Sequence, residues 1–149
     1  FQKKMRPLLK FITSKRWLSK NLFKNAAKPA FIKKVLQQAY PSGSNIDEEL
    51  IDLLYKPTKG LGAPEAFHGF INIFNDYLAP DLMKELDIPV DMIWGQKDPW
   101  EPVSEAEHWF STIKCIRSLH IIPNSGHCPH DESPELVNPL LLKLIQEAT

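Results

Sequence analysis

Residues 88–149 alternate short apolar stretches with helical stretches, and this order constrains the fold more than any other feature. Residues 90–94 are apolar on both faces, which is typical of a strand buried in a parallel sheet. Residues 104–113 predict a helix, residues 119–122 predict a second strand, and a last helix should begin at Pro134. Because strands joined through a helix run parallel with a right-handed crossover, the predicted fold class is α/β.

Two parallel strands cannot form a stable sheet by themselves, because both faces and the outer edges need cover. We therefore expect an incomplete sheet whose further strands come from residues outside this chain. The chain also begins at Phe1 without an initiator methionine, so we expect a processed or partial chain.

Residues 1–87 predict helices only. Apolar residues recur at helical spacing between Met5 and Ile12 and between Ile32 and Ala39. Asn45 is the expected N-cap of a further helix, because Glu48 lies three residues later and completes a capping box. That helix should bury the leucines Leu50, Leu53 and Leu54.

A phenylalanine-rich stripe follows, and a short helix over residues 81–86 leads to the first strand. A stripe at this spacing is more often part of a core than of a ligand site. Its members are Phe67, Phe70, Ile71 and Phe74. The change from helical patterns alone to alternating strand and helix patterns predicts two regions, residues 1–87 and residues 88–149.

Charge is distributed unevenly along the chain. Residues 1–46 hold eleven Lys or Arg and no Asp or Glu, whereas residues 47–149 hold seven basic and eighteen acidic residues. Aromatic residues are interspersed with the basic ones, namely Phe1, Phe11, Trp17, Phe23 and Phe31. This mixture suits an anionic membrane surface, a nucleic acid, or a solvated helical face with its acidic complement elsewhere. We expect no nucleic-acid partner, and residues 1–36 are the candidate for peripheral membrane contact.

Two cysteines, Cys115 and Cys128, are too few for a disulfide framework and favour a reducing compartment. No apolar run approaches the roughly 20 residues that span a bilayer. Lys and Arg interrupt the first residues, so they do not predict a secretory signal.

Two polar residues follow the two predicted strands. Asp98 comes just after the first strand, and His127 comes after the second, beside Gly126 and within a run that continues through Glu132. Because the carboxyl ends of parallel strands meet at one edge of a sheet, we expect both side chains at that edge. An ionised Asp can orient a His, which then takes a proton from a Ser or Cys nucleophile.

Simpler interpretations exist for each residue. An Asp before a Pro is usually a turn residue, and a single loop His is usually on the surface. His130 and Asp131 form a competing pair, although their position is more typical of turn and capping groups. Cys128, His127 and His130 are crowded and lack a second ligand cluster, so they do not favour zinc. We expect no metal and no cofactor.

The order of Asp98 and His127 resembles the C-terminal segment of an α/β-hydrolase, a family whose acid and His follow the last two core strands. On this resemblance, residues 1–87 correspond to the helical cap, and residues 88–149 to the C-terminal β-α-β-α part of the core. The sequence also resembles a narrower group within that family, the chloroplast and cyanobacterial hydrolases that include pheophytinase and chlorophyll dephytylase. The similarity lies in Asp98-Pro99-Trp100 and in Gly126-His127-Cys128-Pro129-His130-Asp131-Glu132.

The resemblance implies a hydrolase of an apolar ester, such as the phytyl ester of a chlorophyll derivative, in a chloroplast or cyanobacterial cell. Asp98 and His127 would be acid and base, and the Ser nucleophile would lie outside this chain. The family's Gly-x-Ser-x-Gly elbow is missing, because Ser42-Gly43-Ser44 lacks its spacing. We expect this chain alone to be inactive. The candidate substrate contacts are Phe67, Phe70, Phe74 and Trp100.

Two other functions remain open from the sequence. An Asp nucleophile on the same fold would give a dehalogenase or an epoxide hydrolase. Alternatively, the chain is a non-catalytic fragment that binds a membrane or a partner through its basic helices. The identity of one upstream residue, Ser or Asp, would separate the two enzymes.

Overall fold

A computed structural model describes residues 14–73 and 79–148, which contain eight α-helices, one 3₁₀ helix and two strands. The first part is helical, with α1 (Arg16–Ala26), α2 (Pro29–Ala39), α3 (Glu48–Tyr55), the 3₁₀ helix (Lys56–Lys59) and α4 (Ala63–Ile73). The second part contains α5 (Ala79–Met83), β1 (Val90–Gly95), α6 (Val103–Thr112), β2 (Ile116–Ile122), α7 (Pro129–Glu132) and α8 (Pro134–Ala148). The stripe predicted between Met5 and Ile12 lies outside the described residues, and so does Phe74.

The chain forms two compact units, and the first contains residues 14–34 and 47–73 of the described part. Within this unit α1 packs against α4. The rings of Phe23 and Phe67 lie 5.4 Å apart, and the buried Ser19 hydroxyl lies 2.8 Å from Nδ1 of His68. Phe67 therefore has a packing role in this unit, as its helical spacing predicts.

The second unit contains residues 35–46 and 79–148 and holds the sheet. β1 and β2 pair in parallel, from Val90 opposite Ile116 to Gly95 opposite Ile122. The crossover helix α6 packs on the strands, and the core beneath it consists of Met92, Ala106, Ile113 and Ile116. The predicted parallel pairing is thus confirmed.

The structure corrects several details of the helical region. The cap of α3 is Asp47, whose carboxylate accepts the Leu50 N–H at 2.8 Å, and not Asn45. Asn45 has a φ of 61°, a left-handed conformation that Asn tolerates in turns. The buried residue of α3 is Ile51, whereas Leu53 is 60% exposed. In a helix of eight residues, apolar spacing alone did not show which side is buried.

Two element boundaries also differ from the sequence prediction. β2 begins at Ile116 instead of residue 119. The sequence did not predict its first three residues as strand, because Arg117 and Ser118 are polar and interrupt the apolar run. The short helix before β1 spans Ala79–Met83 instead of residues 81–86. The division of the chain at residue 87 stays a prediction.

Each strand has one hydrogen-bonded neighbour among the described residues, so each keeps an open edge. Large apolar side chains are also exposed in the second unit, among them Ile121 of β2 and Leu141, Leu142 and Ile145 of α8. Open edges and exposed apolar groups are what an incomplete sheet leaves behind.

Candidate active site

The site forms where β1 and β2 end. The last paired residues are Gly95 and Ile122, and the two loops that follow remain hydrogen-bonded to each other. The N–H of Gln96 donates to Ile122 O at 3.0 Å, and the N–H of Lys97 donates to Ser125 O at 2.8 Å. These bonds continue the parallel ladder past the sheet, so the loop after β1 and the loop after β2 stay side by side.

Asp98 and His127 meet at this point. Oδ2 of Asp98 lies 2.9 Å from Nδ1 of His127, although the residues are 29 positions apart. The Asp98 side chain is 6% exposed, and the His127 side chain is 39% exposed. The predicted proximity of the two side chains is confirmed.

The other carboxylate oxygen of Asp98 is also occupied. Oδ1 accepts the backbone N–H groups of Trp100 at 2.9 Å and Glu101 at 3.0 Å. These two donors hold the carboxylate in one orientation, which leaves Oδ2 directed at the imidazole. A carboxylate held this way fixes both the tautomer and the orientation of its His.

Trp100 packs against the same imidazole. The two ring centroids lie 4.7 Å apart at an interplanar angle of 66°. This edge-to-face contact restricts rotation of the His127 ring. Trp100, which the sequence suggested as a substrate contact, therefore touches the candidate base itself.

Two glycines let the loops approach closely. A Cβ on Gly95 would lie 1.8 Å from the carbonyl oxygen of Gly126, and one on Gly126 would lie 2.1 Å from the carbonyl oxygen of Ala39. Both would collide with backbone, which cannot rotate away. Glycine at both positions therefore allows the end of β1, the loop after β2 and the end of α2 to pack directly against one another.

The His127 loop is anchored by residues that sequence reasoning did not single out. The His127 N–H donates to Ala39 O at 2.8 Å. The Glu132 carboxylate, 4% exposed, accepts from the Gly126 N–H and from both the N–H and the hydroxyl of Ser42. The sequence shows that Glu132 follows His127 closely, but it does not show that Glu132 bonds to Ser42, which lies 90 residues away.

A second anchor joins Tyr40 to Asp131. The Tyr40 hydroxyl donates to the Asp131 carboxylate, and burial, reinforced by this bond, raises the pKa of Tyr40. Burial also raises the pKa of the neighbouring Cys128 thiol. Asp131 therefore supports the loop instead of pairing with His130, as its predicted turn role suggested.

Two of the remaining predicted contacts, Phe67 and Phe70, lie in the first unit, on α4. Phe67 is half-buried against Phe23, and Phe70 is 59% exposed. Phe74 falls outside the described residues. Substrate contact by these three residues stays a prediction.

The arrangement of Asp98 and His127 suits proton transfer. An ionised carboxylate accepts the Nδ1–H, so Nε2 is the nitrogen that can take and return a proton. Asp98 and His127 thus supply an acid and a base. Ser125 is the described serine closest to His127 in sequence, but its side chain is fully buried and its hydroxyl lies 2.6 Å from that of Ser133, so it is not placed as a nucleophile.

Curated relatives are hydrolases. The chain is 28% identical over 124 residues to the uncharacterized hydrolase YugF of Bacillus subtilis, covering 83% of this chain and 42% of the relative. It is 27% identical over 117 residues to the chloroplastic pheophytinase of Arabidopsis thaliana, covering 76% of this chain and 24% of the relative. The chain thus spans less than half the length of either relative. No family model matches the sequence.

Solved structures share the fold. A serine hydrolase of carbazole degradation, CarC, superposes with a TM-score of 0.69 at 19% identity, over 80% of this chain and 48% of that one. A thermophilic esterase from Thermogutta terrifontis gives a TM-score of 0.63 at 21% identity, over 89% and 50% of the two chains. The chain therefore has the fold of the C-terminal portion of an α/β-hydrolase.

Proposed function

We propose that this chain supplies the acid and the base of a carboxylic ester hydrolase, and that a Ser nucleophile comes from residues outside it. The observation that carries the proposal is the 2.9 Å separation of Asp98 Oδ2 and His127 Nδ1 beyond neighbouring strand ends. The hydrolase relatives support it, as does the coverage of half or less of each relative and neighbour.

The proposed chemistry assigns one role to each residue. His127 Nε2 takes the proton of the Ser hydroxyl as that oxygen attacks the ester carbonyl, and then gives the proton to the departing alcohol. Water, deprotonated by the same nitrogen, releases the acid and restores the Ser. Asp98 stabilises the imidazolium that forms in each step and keeps Nε2 directed at the reacting atoms.

We propose an apolar ester as the substrate class, and the phytyl ester of a chlorophyll derivative as its specific member. The name of the chloroplastic pheophytinase relative supports this substrate and a chloroplast location. A cyanobacterial cell, the alternative location, rests on the sequence resemblance alone. Phe67, Phe70, Phe74 and Trp100 are the proposed apolar contacts. No helix in the described ranges is both long enough and apolar enough to cross a membrane.

The test compares variants of the intact protein. Asp98→Asn should lower turnover of a p-nitrophenyl ester by about 10³- to 10⁴-fold, because the wrong His tautomer is then favoured. His127→Gln should lose at least as much. The matched controls are Asp87→Asn and His130→Gln, which change the same residue types at exposed positions and should leave turnover unchanged.

A fluorophosphonate probe identifies the nucleophile, because it labels an activated Ser and not an Asp. Labelling that disappears with His127→Gln supports the esterase. Turnover of an epoxide or haloalkane without labelling would establish the alternative with an Asp nucleophile. Wild-type turnover in Asp98→Asn would refute the assigned pair. The 149-residue chain alone should neither turn over the ester nor react with the probe.

A further inference from the structure

Within the described residues of the first unit, some basic side chains contact a carboxylate and others do not. Arg16 and Lys20 both contact the Glu65 carboxylate, at 3.2 and 2.6 Å, and Lys33 contacts Glu48 at 3.3 Å. The bond from Lys20 holds the pKa of Glu65 below its usual range, so this acid is a lasting counter-charge. These three basic residues fit the solvated, balanced face that the sequence allowed.

Three other lysines are different. Lys24, Lys28 and Lys34 are exposed, and none of them has a carboxylate partner within residues 14–73 and 79–148. Between residues 14 and 46 there is no acidic residue to balance them. As far as the described residues go, their positive charge is therefore available to an external anion.

An exposed tryptophan lies on the same helix as Lys24. Trp17 is 65% exposed, and it shares one face of α1 with Asn21 and Lys24, because residues four and three apart are neighbours on a helix. The opposite face carries Ser19 and Phe23, which pack against α4. An aromatic ring on the polar side of an amphipathic helix does not contribute to that packing.

Further apolar groups are exposed close by in sequence, since Leu22 is 43% exposed and Phe31 is 47% exposed. Trp, Leu and Phe beside lysines are the composition of helices that rest in a bilayer interface. A nucleic acid would stack bases on Trp17 but would gain little from the aliphatic Leu22. The lysines carry charge without the planar fork by which Arg reads bases.

We infer that α1 and the start of α2 form a docking surface for an anionic membrane, with Trp17 and Phe31 entering the headgroup region and Lys24, Lys28 and Lys34 meeting lipid phosphates. Such docking would bring the protein to the surface in which an apolar substrate resides. The inference concerns binding, and its readout does not depend on the proposed hydrolysis.

The experiment measures co-sedimentation of the intact protein with vesicles. Vesicles of phosphatidylcholine containing phosphatidylglycerol should bind the protein, and vesicles of phosphatidylcholine alone should bind it weakly. Each lysine near an anionic surface contributes about fivefold in affinity, so Lys24→Glu/Lys28→Glu/Lys34→Glu should weaken binding at least about 100-fold. Salt raised from about 0.1 M to about 0.5 M should weaken wild-type binding through screening.

The control is a triple variant with the same change in net charge at other exposed positions, Lys59→Glu/Lys84→Glu/Lys114→Glu. It should keep most of the binding. Trp17→Ala should weaken binding about tenfold at constant charge, whereas the exposed Leu61→Ala should not. Equal melting temperatures establish that the variants fold, and Lys→Gln versions replace any that do not.

Three results would overturn the inference. Equal loss in both triple variants would assign the binding to net charge and not to this surface. Absence of vesicle binding at low salt would leave the lysines as solvated surface groups. Binding of a labelled single-stranded oligonucleotide that depends on Lys24, Lys28 and Lys34, without vesicle binding, would identify a nucleic-acid surface instead.

Discussion

The carbonyl oxygen of Gly126 lies where a side chain of Gly95 would have to begin, 1.8 Å from the position of a Cβ. The end of β1 and the loop after β2 touch there through backbone alone. This contact sets the spacing at which Asp98, three residues after Gly95, and His127, directly after Gly126, form their hydrogen bond.

Gly95→Ala should therefore destabilise the protein by about 3 kcal/mol and lower turnover, because only a backbone shift can relieve the overlap. The measurement is chemical denaturation of the intact protein together with ester turnover. Gly69→Ala is the control, since a Cβ on this helical glycine meets nothing within 4 Å. That substitution should be neutral or stabilise by up to about 1 kcal/mol. Equal behaviour of the two variants would contradict the close contact.

Glu132→Gln should destabilise the protein by about 2 kcal/mol, because one carboxylate oxygen becomes an NH₂ group that cannot accept a hydrogen bond and the remaining oxygen loses its charge. The affected donors are the Gly126 N–H and the Ser42 groups. Since the N–H of Gly126 adjoins His127, turnover should fall as well.

Glu135→Gln, at an exposed position on α8, is the control for this substitution and should change neither property. Unchanged denaturation of Glu132→Gln would show that the buried carboxylate does not hold the loop.

Tyr40 should make stability fall at high pH. Its pKa in the folded state is raised, chiefly by burial and then by the bond to Asp131. The contribution of the neutral phenol is therefore complete below the unfolded pKa of about 10 and is lost as the pH rises above it. Denaturation midpoints measured from about pH 8 to about pH 11 should fall less steeply in Tyr40→Phe than in the wild type.

Asp131→Asn keeps Tyr40 buried and removes the charged acceptor, so it should reduce the slope only in part. A slope in Tyr40→Phe equal to that of the wild type would assign the alkaline loss of stability to other groups.

Asp47→Ala should cost about 1 kcal/mol of stability in the first unit, because the Leu50 N–H loses its cap. Asp47→Asn should retain most of the stability, since an amide oxygen can accept the same bond. Amide hydrogen exchange of the first turn of α3 is the direct readout. Exchange at Leu50 that is equally slow in Asp47→Ala and in the wild type would exclude Asp47 as the cap.

Much of the second unit could be predicted from local sequence. Apolar runs of strand length, the helix between them and Pro134 at the first turn of α8 predicted the observed β-α-β-α order. Their parallel pairing followed because a crossover helix permits it. Asp98 and His127 could be found for the same reason, since residues just after parallel strands gather at one edge.

The capping of α3 shows where local patterns were insufficient. The spacing to Glu48 favoured Asn45 as the cap, but Asp47 is an equally good capping residue. The backbone conformation decided, because Asn45 adopts a left-handed turn whereas Asp47 is extended, as an N-cap requires.

The sequence by itself determined the order of the elements, the two site residues and the unequal distribution of charge, because each follows from neighbouring residues. Only the tertiary structure decided that Ser42, through Glu132, and Ala39 hold the His127 loop, since the Ser42–Glu132 and Ala39–His127 contacts join segments far apart in the chain. It also decided which lysines are neutralised. Glu65 reaches Arg16 and Lys20 only because α1 packs on α4, and Lys24 on the outward face of α1 is left without such a partner among the described residues.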